Sequence, residues 1–77
     1  MAKEKIVIGT TDKKKSAQHQ YNLLTRNKIN ADIKVYKTDS GELYSVEAGP
    51  YSMRKQLLQD IDKIKGLGLP NAFITNA

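Results

Sequence analysis

The sequence predicts an α+β sandwich with the element order β-α-β-β-α-β, and three observations lead to it. The first is an internal repeat. Gly9 and Gly49 lie 40 residues apart, and each follows a short apolar strand, Ile6-Val7-Ile8 and Tyr44-Ser45-Val46-Glu47-Ala48. Three residues after each glycine stands a helix-capping type, Asp12 and Ser52, and each half closes on one signature, Asn30-Ala31-Asp32-Ile33 and Asn71-Ala72-Phe73-Ile74. The alanines are offset by 41, which places one extra residue of the second half in Gly66-Leu67-Gly68-Leu69-Pro70. The second observation is a run of apolar residues at helical spacing inside each half. The third is the turn chemistry of Thr38-Asp39-Ser40-Gly41, which joins the halves as a hairpin. Repeats of this kind constrain a fold more than any local propensity.

Each element follows from its own pattern. Lys5 to Gly9 alternates and is rich in β-branched residues, so it reads as the first strand. Asp12 is the expected cap of a helix whose inward stripe is Ala17, Tyr21, Leu24 and the stem of Lys28, with Leu23 flanking. Ala31 to Lys37 is the second strand, with Ala31, Ile33 and Val35 on one face and Asp32, Lys34 and Tyr36 on the other. The third runs from Glu42 to Ala48. Its core face is Tyr44, Val46 and Ala48, because the other register would bury Glu47 without a partner. Ser52 is the expected cap of a second helix with the stripe Met53, Leu57, Ile61 and Ile64 and Leu58 beside it. Gly66 is expected to end that helix, with Lys63 and Lys65 in its last turn where cations suit the macrodipole. Asn71 to Thr75 is the fourth strand.

Right-handed crossovers assemble these elements as a ferredoxin-like (RNP-type) sandwich, a four-stranded antiparallel-type sheet with two helices on one face. The first and third strands take the centre. The helices cover Ile6, Ile8, Ile33, Val35, Tyr44, Val46, Ala72 and Ile74. The opposite face is open and displays Lys5, Val7, Asp32, Lys34, Tyr36, Leu43, Ser45, Glu47, Phe73 and Thr75. Val7, Tyr36, Leu43 and Phe73 together place an apolar group on a face that water should wet, which marks a contact site.

At 77 residues, the chain is expected to be a single domain over 1–77, with its core at about 5–75. No cysteine is present, which excludes disulfides, a thiol nucleophile and the usual structural zinc sites. No apolar run approaches a membrane span, and Met1-Ala2-Lys3-Glu4-Lys5 precedes only three apolar residues, so no export signal is expected in this chain. It reads as cytosolic as written, or as a piece of a larger secreted protein. The net charge of +5 favours anionic partners mildly.

No catalytic constellation, metal set or cofactor motif emerges. His19 falls off the helical stripe and has no partnered nucleophile. Lys13-Lys14-Lys15 reads as a solvated run offset by Asp12, and Asp60 and Asp62 as solubilising charges. Gly49-Pro50 lacks the spacing and the Lys-Ser/Thr of a phosphate loop. An acylphosphatase-type site would need an arginine among residues 10–15, and there is none.

Three motifs carry a family resemblance. Leu43-Tyr44-Ser45-Val46-Glu47-Ala48-Gly49-Pro50-Tyr51 resembles the "LYRVRVGPF" run of the sporulation-related repeat, or SPOR, domain. Gly66-Leu67-Gly68-Leu69-Pro70-Asn71-Ala72-Phe73-Ile74 resembles its "GLPGAFVV" ending, and Ile6-Val7-Ile8-Gly9-Thr10 its opening "VQVGS". The resemblance implies a non-catalytic module that binds the peptidoglycan of the bacterial cell wall. It implies recognition of glycan strands stripped of stem peptides, attachment to a cell-wall amidase or division protein, and an envelope location if the parent is secreted. It implies that Val7 and Thr10 stand where the family has a glutamine and a serine, and that Leu43 and Ser45 stand where it often has an aromatic and an arginine. The expected ligand-binding residues are Val7, Thr10, Lys34, Tyr36, Leu43, Ser45, Phe73 and Thr75. Sugars offer apolar faces and dense hydroxyls, so a platform of Phe73, Tyr36 and Leu43 beside Thr75, Ser45 and Lys34 suits them. The competing reading is a single-stranded RNA or DNA module of RRM-like architecture. Glu42, Leu43 and Glu47 stand where such a module needs basic and stacking residues, which argues against nucleic acid.

Overall fold

The computed structural model describes residues 3–77; what the expectations above assign to Met1 and Ala2 lies outside these. The elements are β1 (Glu4–Thr11), α1 (Lys14–Arg26), β2 (Ala31–Thr38), β3 (Gly41–Tyr51), α2 (Arg54–Gly66) and β4 (Phe73–Asn76). The sheet order is β2-β3-β1-β4 with every neighbouring pair antiparallel, so the order and central pair are those expected from the sequence. Both helices lie on one face. There Ile6 and Ile8 of β1, Val46 and Ala48 of β3, Ala17 and Leu24 of α1, and Leu57, Ile61 and Ile64 of α2 form one buried cluster with Ile29 and Ala72. Burying each large aliphatic side chain contributes about 1.5–3 kcal/mol, which is the main source of stability in so small a sheet.

The register contains two irregularities, both on the central pair. Val7 faces Glu47 and Gly9 faces Val46, so Ile8 is an extra residue in β1. On β3 the extra residue falls between Ala48, opposite Ile6, and Tyr51, opposite Glu4. Gly49 there has φ of +112°, a left-handed conformation that a side chain resists, and its N–H bonds the Asn30 carbonyl at 3.1 Å. The bulge carries β3 through Pro50 to Tyr51, three residues past its expected end.

The helix ends differ from the sequence expectations. Neither Asp12 nor Ser52 caps: the N-cap positions are Lys13 and Met53, and neither makes a side-chain capping bond. Instead the Lys13 N–H donates to Thr11 Oγ1 at 3.1 Å. Met53, placed at a cap rather than within the helix, is exposed, and so is Leu58 at the edge of the stripe. Lys28 lends no stem to the core. It lies beyond α1 at φ of +60°, and Ile29 takes the core position. Lys28 N–H bonds the Thr25 carbonyl and Ile29 N–H the Leu24 carbonyl, the paired bonds of a Schellman motif. Gly66 is the last residue of α2 rather than its stop. The left-handed residue is Gly68, the repeat counterpart of Lys28.

Val35 is also exposed, against expectation. From Lys34 onward β2 is exposed on both faces, so the tip of the β2–β3 hairpin projects past the helical layer. β4 starts at Phe73 rather than Asn71, and Ala72 is buried in the turn before it.

A left-handed conformation costs a residue with a Cβ about 1–2 kcal/mol. Lys28→Gly relieves this, less the entropy that glycine adds to the unfolded chain. We expect a net gain of about 0.5–1 kcal/mol and a melting temperature raised by about 2–8 °C. Lys28→Ala keeps the Cβ and should leave the melt unchanged. Circular dichroism melts of both variants check this.

Candidate functional site

The sheet face away from the helices is built in rows. Tyr36 of β2 stands beside Leu43 of β3. Lys34 stands beside Ser45, which faces Thr10 of β1. Asp32, Glu47, Val7 and Phe73 run across all four strands, and Lys5 faces Thr75 on β1 and β4. Phe73, 54% exposed, is the large apolar group of the β4 side, and Tyr36 holds the β2 side. Ile74 turns to the helical side and packs against the core, as strand alternation requires.

Thr10 reaches this face only because of the bulge. Strict alternation from Ile6 and Ile8 would turn it toward the helices. The extra residue shifts the phase: Ile8 and Gly9 both face the helical layer, and Thr10 emerges opposite Ser45, with its Oγ1 3.5 Å from Ser45 Oγ. Gly9 is then in contact with α1. A Cβ there would come within 3.3 Å of Gln20 Oε1.

The centre of the face is a carboxylate. Glu47 is buried, yet it has partners from three strands. Lys5 Nζ donates to its Oε1 at 2.9 Å and Ser45 Oγ to its Oε2 at 3.0 Å, and Tyr36 OH approaches Oε2 at 3.5 Å. The hydrogen bond to Glu47 raises the Lys5 pKa above its ordinary value despite opposing desolvation. A cavity of about 210 Å³ opens next to this pair, lined by Lys5, Asp32, Lys34, Glu47, the Ala48–Pro50 segment and Ala77. Lys34 leans toward Asp32 at 3.7 Å, a loose surface pair.

Two further grooves flank the sheet. One, of about 460 Å³, lies between Val7–Thr10, Gln20 and Gly68–Asn71, with Phe73 at its rim. The other, of about 340 Å³, lies between Gly49–Met53, Gln56, Asp60, Lys28 and Asn30. In the second, Asp60 is not a free solubilising charge: Tyr51 OH donates to it at 2.6 Å and Gln56 Nε2 at 2.9 Å. Burial first, and then Asp60, pushes the Tyr51 phenol well above its ordinary pKa. Among the described residues no three His, Cys, Asp or Glu side chains gather as a metal site would need, and His19 is exposed on α1.

The SPOR domain family model matches residues 5–76. The chain belongs to the SPOR domain family. Among solved structures, this SPOR domain is similar to the solution structure of the peptidoglycan binding domain of the Bacillus subtilis (B. subtilis) cell wall lytic enzyme CwlC. The TM-score is 0.72 at 21% identity, over 100% of this chain and 91% of that one. At that identity the likeness is one of fold. No curated protein matches the chain in sequence.

The SPOR domain brings Val7, Thr10, Lys34, Tyr36, Leu43, Ser45, Phe73 and Thr75 onto one face. They are not equally available. Thr10, Lys34, Tyr36 and Phe73 are exposed and Leu43 and Thr75 half-buried, whereas Val7 and Ser45 are buried and form the floor. Sequence reasoning placed Lys5 and Glu47 on this face but gave them no role. Their signal was opposite charge on adjacent central strands with the same parity. Gln20 carried no signal, because its place beside Gly9 depends on the bulge at Ile8.

Removing Lys5 strands the Glu47 carboxylate. Lys5→Met should cost about 1–3 kcal/mol, since Ser45 and Tyr36 still bond it. Lys5→Met/Glu47→Leu should recover most of the loss, because an apolar pair replaces a desolvated ionic one. Urea unfolding of the three proteins measures both steps.

Alkaline pH acts on Lys5 and on the Tyr51 phenol of the second groove. Lys5 and Tyr51 both have folded pKa values raised above their unfolded ones. The stability they contribute is therefore complete below about pH 10 and is lost as pH rises through the folded values. The melting temperature should fall from about pH 10 upward, and Tyr51→Phe should make that fall shallower. Melts recorded from pH 8 to 11 test this; an identical slope in the variant would count against the Tyr51 assignment.

Proposed function

We propose that this SPOR domain is a non-catalytic module that binds bacterial peptidoglycan through the open face of its sheet. It takes glycan strands lacking stem peptides and directs a cell-wall hydrolase or division protein to them, in the cell envelope. The observation that carries this reading is one juxtaposition: exposed Phe73 stands opposite Val7 on the same face as Thr75 and shares a groove with Thr10, and a cavity floored by the Lys5–Glu47 pair opens on that face. Family membership and the fold shared with a peptidoglycan binding domain support it.

The chemistry is consistent. Phe73 and Tyr36 offer flat apolar surface to sugar ring faces, and threonine hydroxyls exchange hydrogen bonds with sugar hydroxyls. Removal of the stem peptide leaves a lactyl carboxylate on each muramic acid, which Lys34 and Lys5 at the cavity complement. On the central strands this face carries Val7, Leu43 and Ser45 where a single-strand nucleic-acid module stacks bases on aromatic side chains, which disfavours nucleic acid.

Sedimentation with sacculi tests the reading. Amidase digestion of the sacculi should increase binding, and equal binding before and after digestion would overturn recognition of peptide-free glycan. Phe73→Asp should remain folded, since Phe73 is 54% exposed, and should lose most binding. Ile74→Asp should unfold the domain, because a carboxylate placed against the core costs several kcal/mol. A fall in affinity of about a hundredfold from low to physiological salt would point to nucleic acid instead.

A further inference from the structure

The cations of this SPOR domain are not shared evenly between its faces. Residues 12–28 and 53–66, which hold the two helices and their ends, carry nine Lys and Arg against three carboxylates, a net +6. The rest of the chain carries four against five, a net −1. All nine helical cations are exposed. Among the described residues only Arg54 of the nine pairs with a carboxylate, Glu4, and Asp12 pairs with none of the lysines that follow it. On the open face the opposite holds: Lys5 pairs with Glu47, and Lys34 leans on Asp32. The Lys63 ammonium donates to the Asn27 carbonyl at 2.7 Å, which brings it to the end of α1 where Arg26 and Lys28 flank Asn27. Several of these cations stand where they cost stability. Lys14 and Lys15 lie in the first turn of α1 and Arg54 and Lys55 in that of α2, where the macrodipole opposes cations, and neither turn holds an acid. Lys28 keeps a left-handed conformation at φ of +60° that its counterpart Gly68 adopts without strain. Charge held at a local cost points to a use for it.

We propose that the helical layer is a second binding face, on which this SPOR domain takes a phosphodiester polymer of the cell wall, a chain of polyol phosphates without bases, while the open sheet face takes glycan. The proposal rests on the wall-binding reading above for where that polymer is met, and on the charge distribution for the rest. Each helix is about 20 Å long. At physiological salt, charges more than about 8 Å apart are largely screened from one another. A compact anion would therefore engage one group of these cations, whereas a flexible chain with a charge on every repeat can engage several. Two other polyanionic partners fit less well. Nucleic acid offers bases to stack, but the exposed aromatic side chains among the described residues, Tyr36 and Phe73, are both on the sheet. A membrane surface needs an apolar stripe beside the basic one. The stripes of both helices are buried against the sheet, and Leu58 is the one large apolar side chain exposed within either helix among the described residues.

Titration with soluble poly(glycerol phosphate), and separately with amidase-treated glycan strands stripped of phosphodiesters by acid, tests the two faces apart. Wild type should bind the polymer with an affinity that falls about tenfold or more from about 50 to 200 mM salt, while binding to the stripped glycan changes little. Lys14→Gln/Lys15→Gln should lose about five- to twentyfold for the polymer and Lys28→Ala about two- to fivefold, each with a shallower salt slope. Neither should change binding to the stripped glycan or melt below wild type, since the first relieves the macrodipole and the second keeps the Cβ. Lys3→Gln/Lys37→Gln removes two charges from outside the helical layer and should cost the polymer less than about twofold. Phe73→Asp should lose the glycan and keep the polymer. Failure of wild type to bind the polymer would overturn the proposal and leave the glycan reading standing. Equal losses from the two double variants would also overturn it, because affinity would then follow net charge rather than the helical layer. Tighter binding to a single-stranded oligonucleotide or to anionic lipid vesicles, at equal phosphate, would overturn it in favour of those partners. The expected polymer pattern in a domain that binds no glycan strand would support the helical site and overturn the glycan reading.

Discussion

One extra residue in a central strand governs which side chains meet. β1 pairs with both β3 and β4, so the added Ile8 changes the phase of the sheet at its middle. Before the bulge, Lys5 and Val7 face out and Ile6 faces the helices. After it, Gly9 faces in and Thr10 faces out beside Ser45. A helix then packs where Gly9 has no side chain, which brings Gln20 of α1 to the edge of the open face. The matching bulge at Gly49 gives β3 its length and brings Tyr51 over α2. Bulges are costly interruptions of a ladder, and they persist where they aim side chains. Here they separate an apolar core from the open face across a single layer of backbone.

That face has a small core of its own. Glu47 is buried on the side away from the helices, where sequence reasoning expected solvent, and Lys5, Ser45 and Tyr36 close over it. The Lys5 pair binds β1 to β3, and Tyr36 adds β2. A one-residue slip of either strand would strand a charge against the backbone, so the network opposes wrong registers as much as it stabilises the right one. It also gives the surface a mixed character: aromatic at both flanks, polar and charge-balanced at the centre. Such a surface suits a ligand with alternating apolar faces and hydroxyls better than one with uniform negative charge.

The duplication explains the asymmetry of the two halves. Equivalent positions have taken opposite solutions: Lys28 is strained where Gly68 is relaxed, and Thr11 leaves space where Tyr51 fills it. The second half satisfies its own polar groups through Tyr51, Asp60 and Gln56. The first half leaves Gln20 Oε1 buried without a hydrogen-bond partner among the described residues, in a groove that Phe73 also lines. A repeated unit needs both copies to build the sheet, but their grooves need not match. The first-half groove adjoins Phe73 because β1 is the central strand that neighbours β4.

The sequence by itself determined the element order, the strand order and the assignment of most side chains to a face. Period-two and period-3.6 patterns record burial directly, and the repeat ties the two halves together. Phe73 and Ile74 could be told apart on that basis alone, and the SPOR motifs were legible because they lie in short contiguous runs. Helix caps were misplaced by one residue, since Asp12 and Ser52 have the chemistry of caps but the strands run on through Thr11 and Tyr51. Only the tertiary structure decided that Thr10 faces outward, that Glu47 is buried with partners, and that Gln20 belongs beside the candidate site. Each of these depends on register between strands distant in sequence. A bulge changes that register without changing composition or local periodicity enough to be read from the chain.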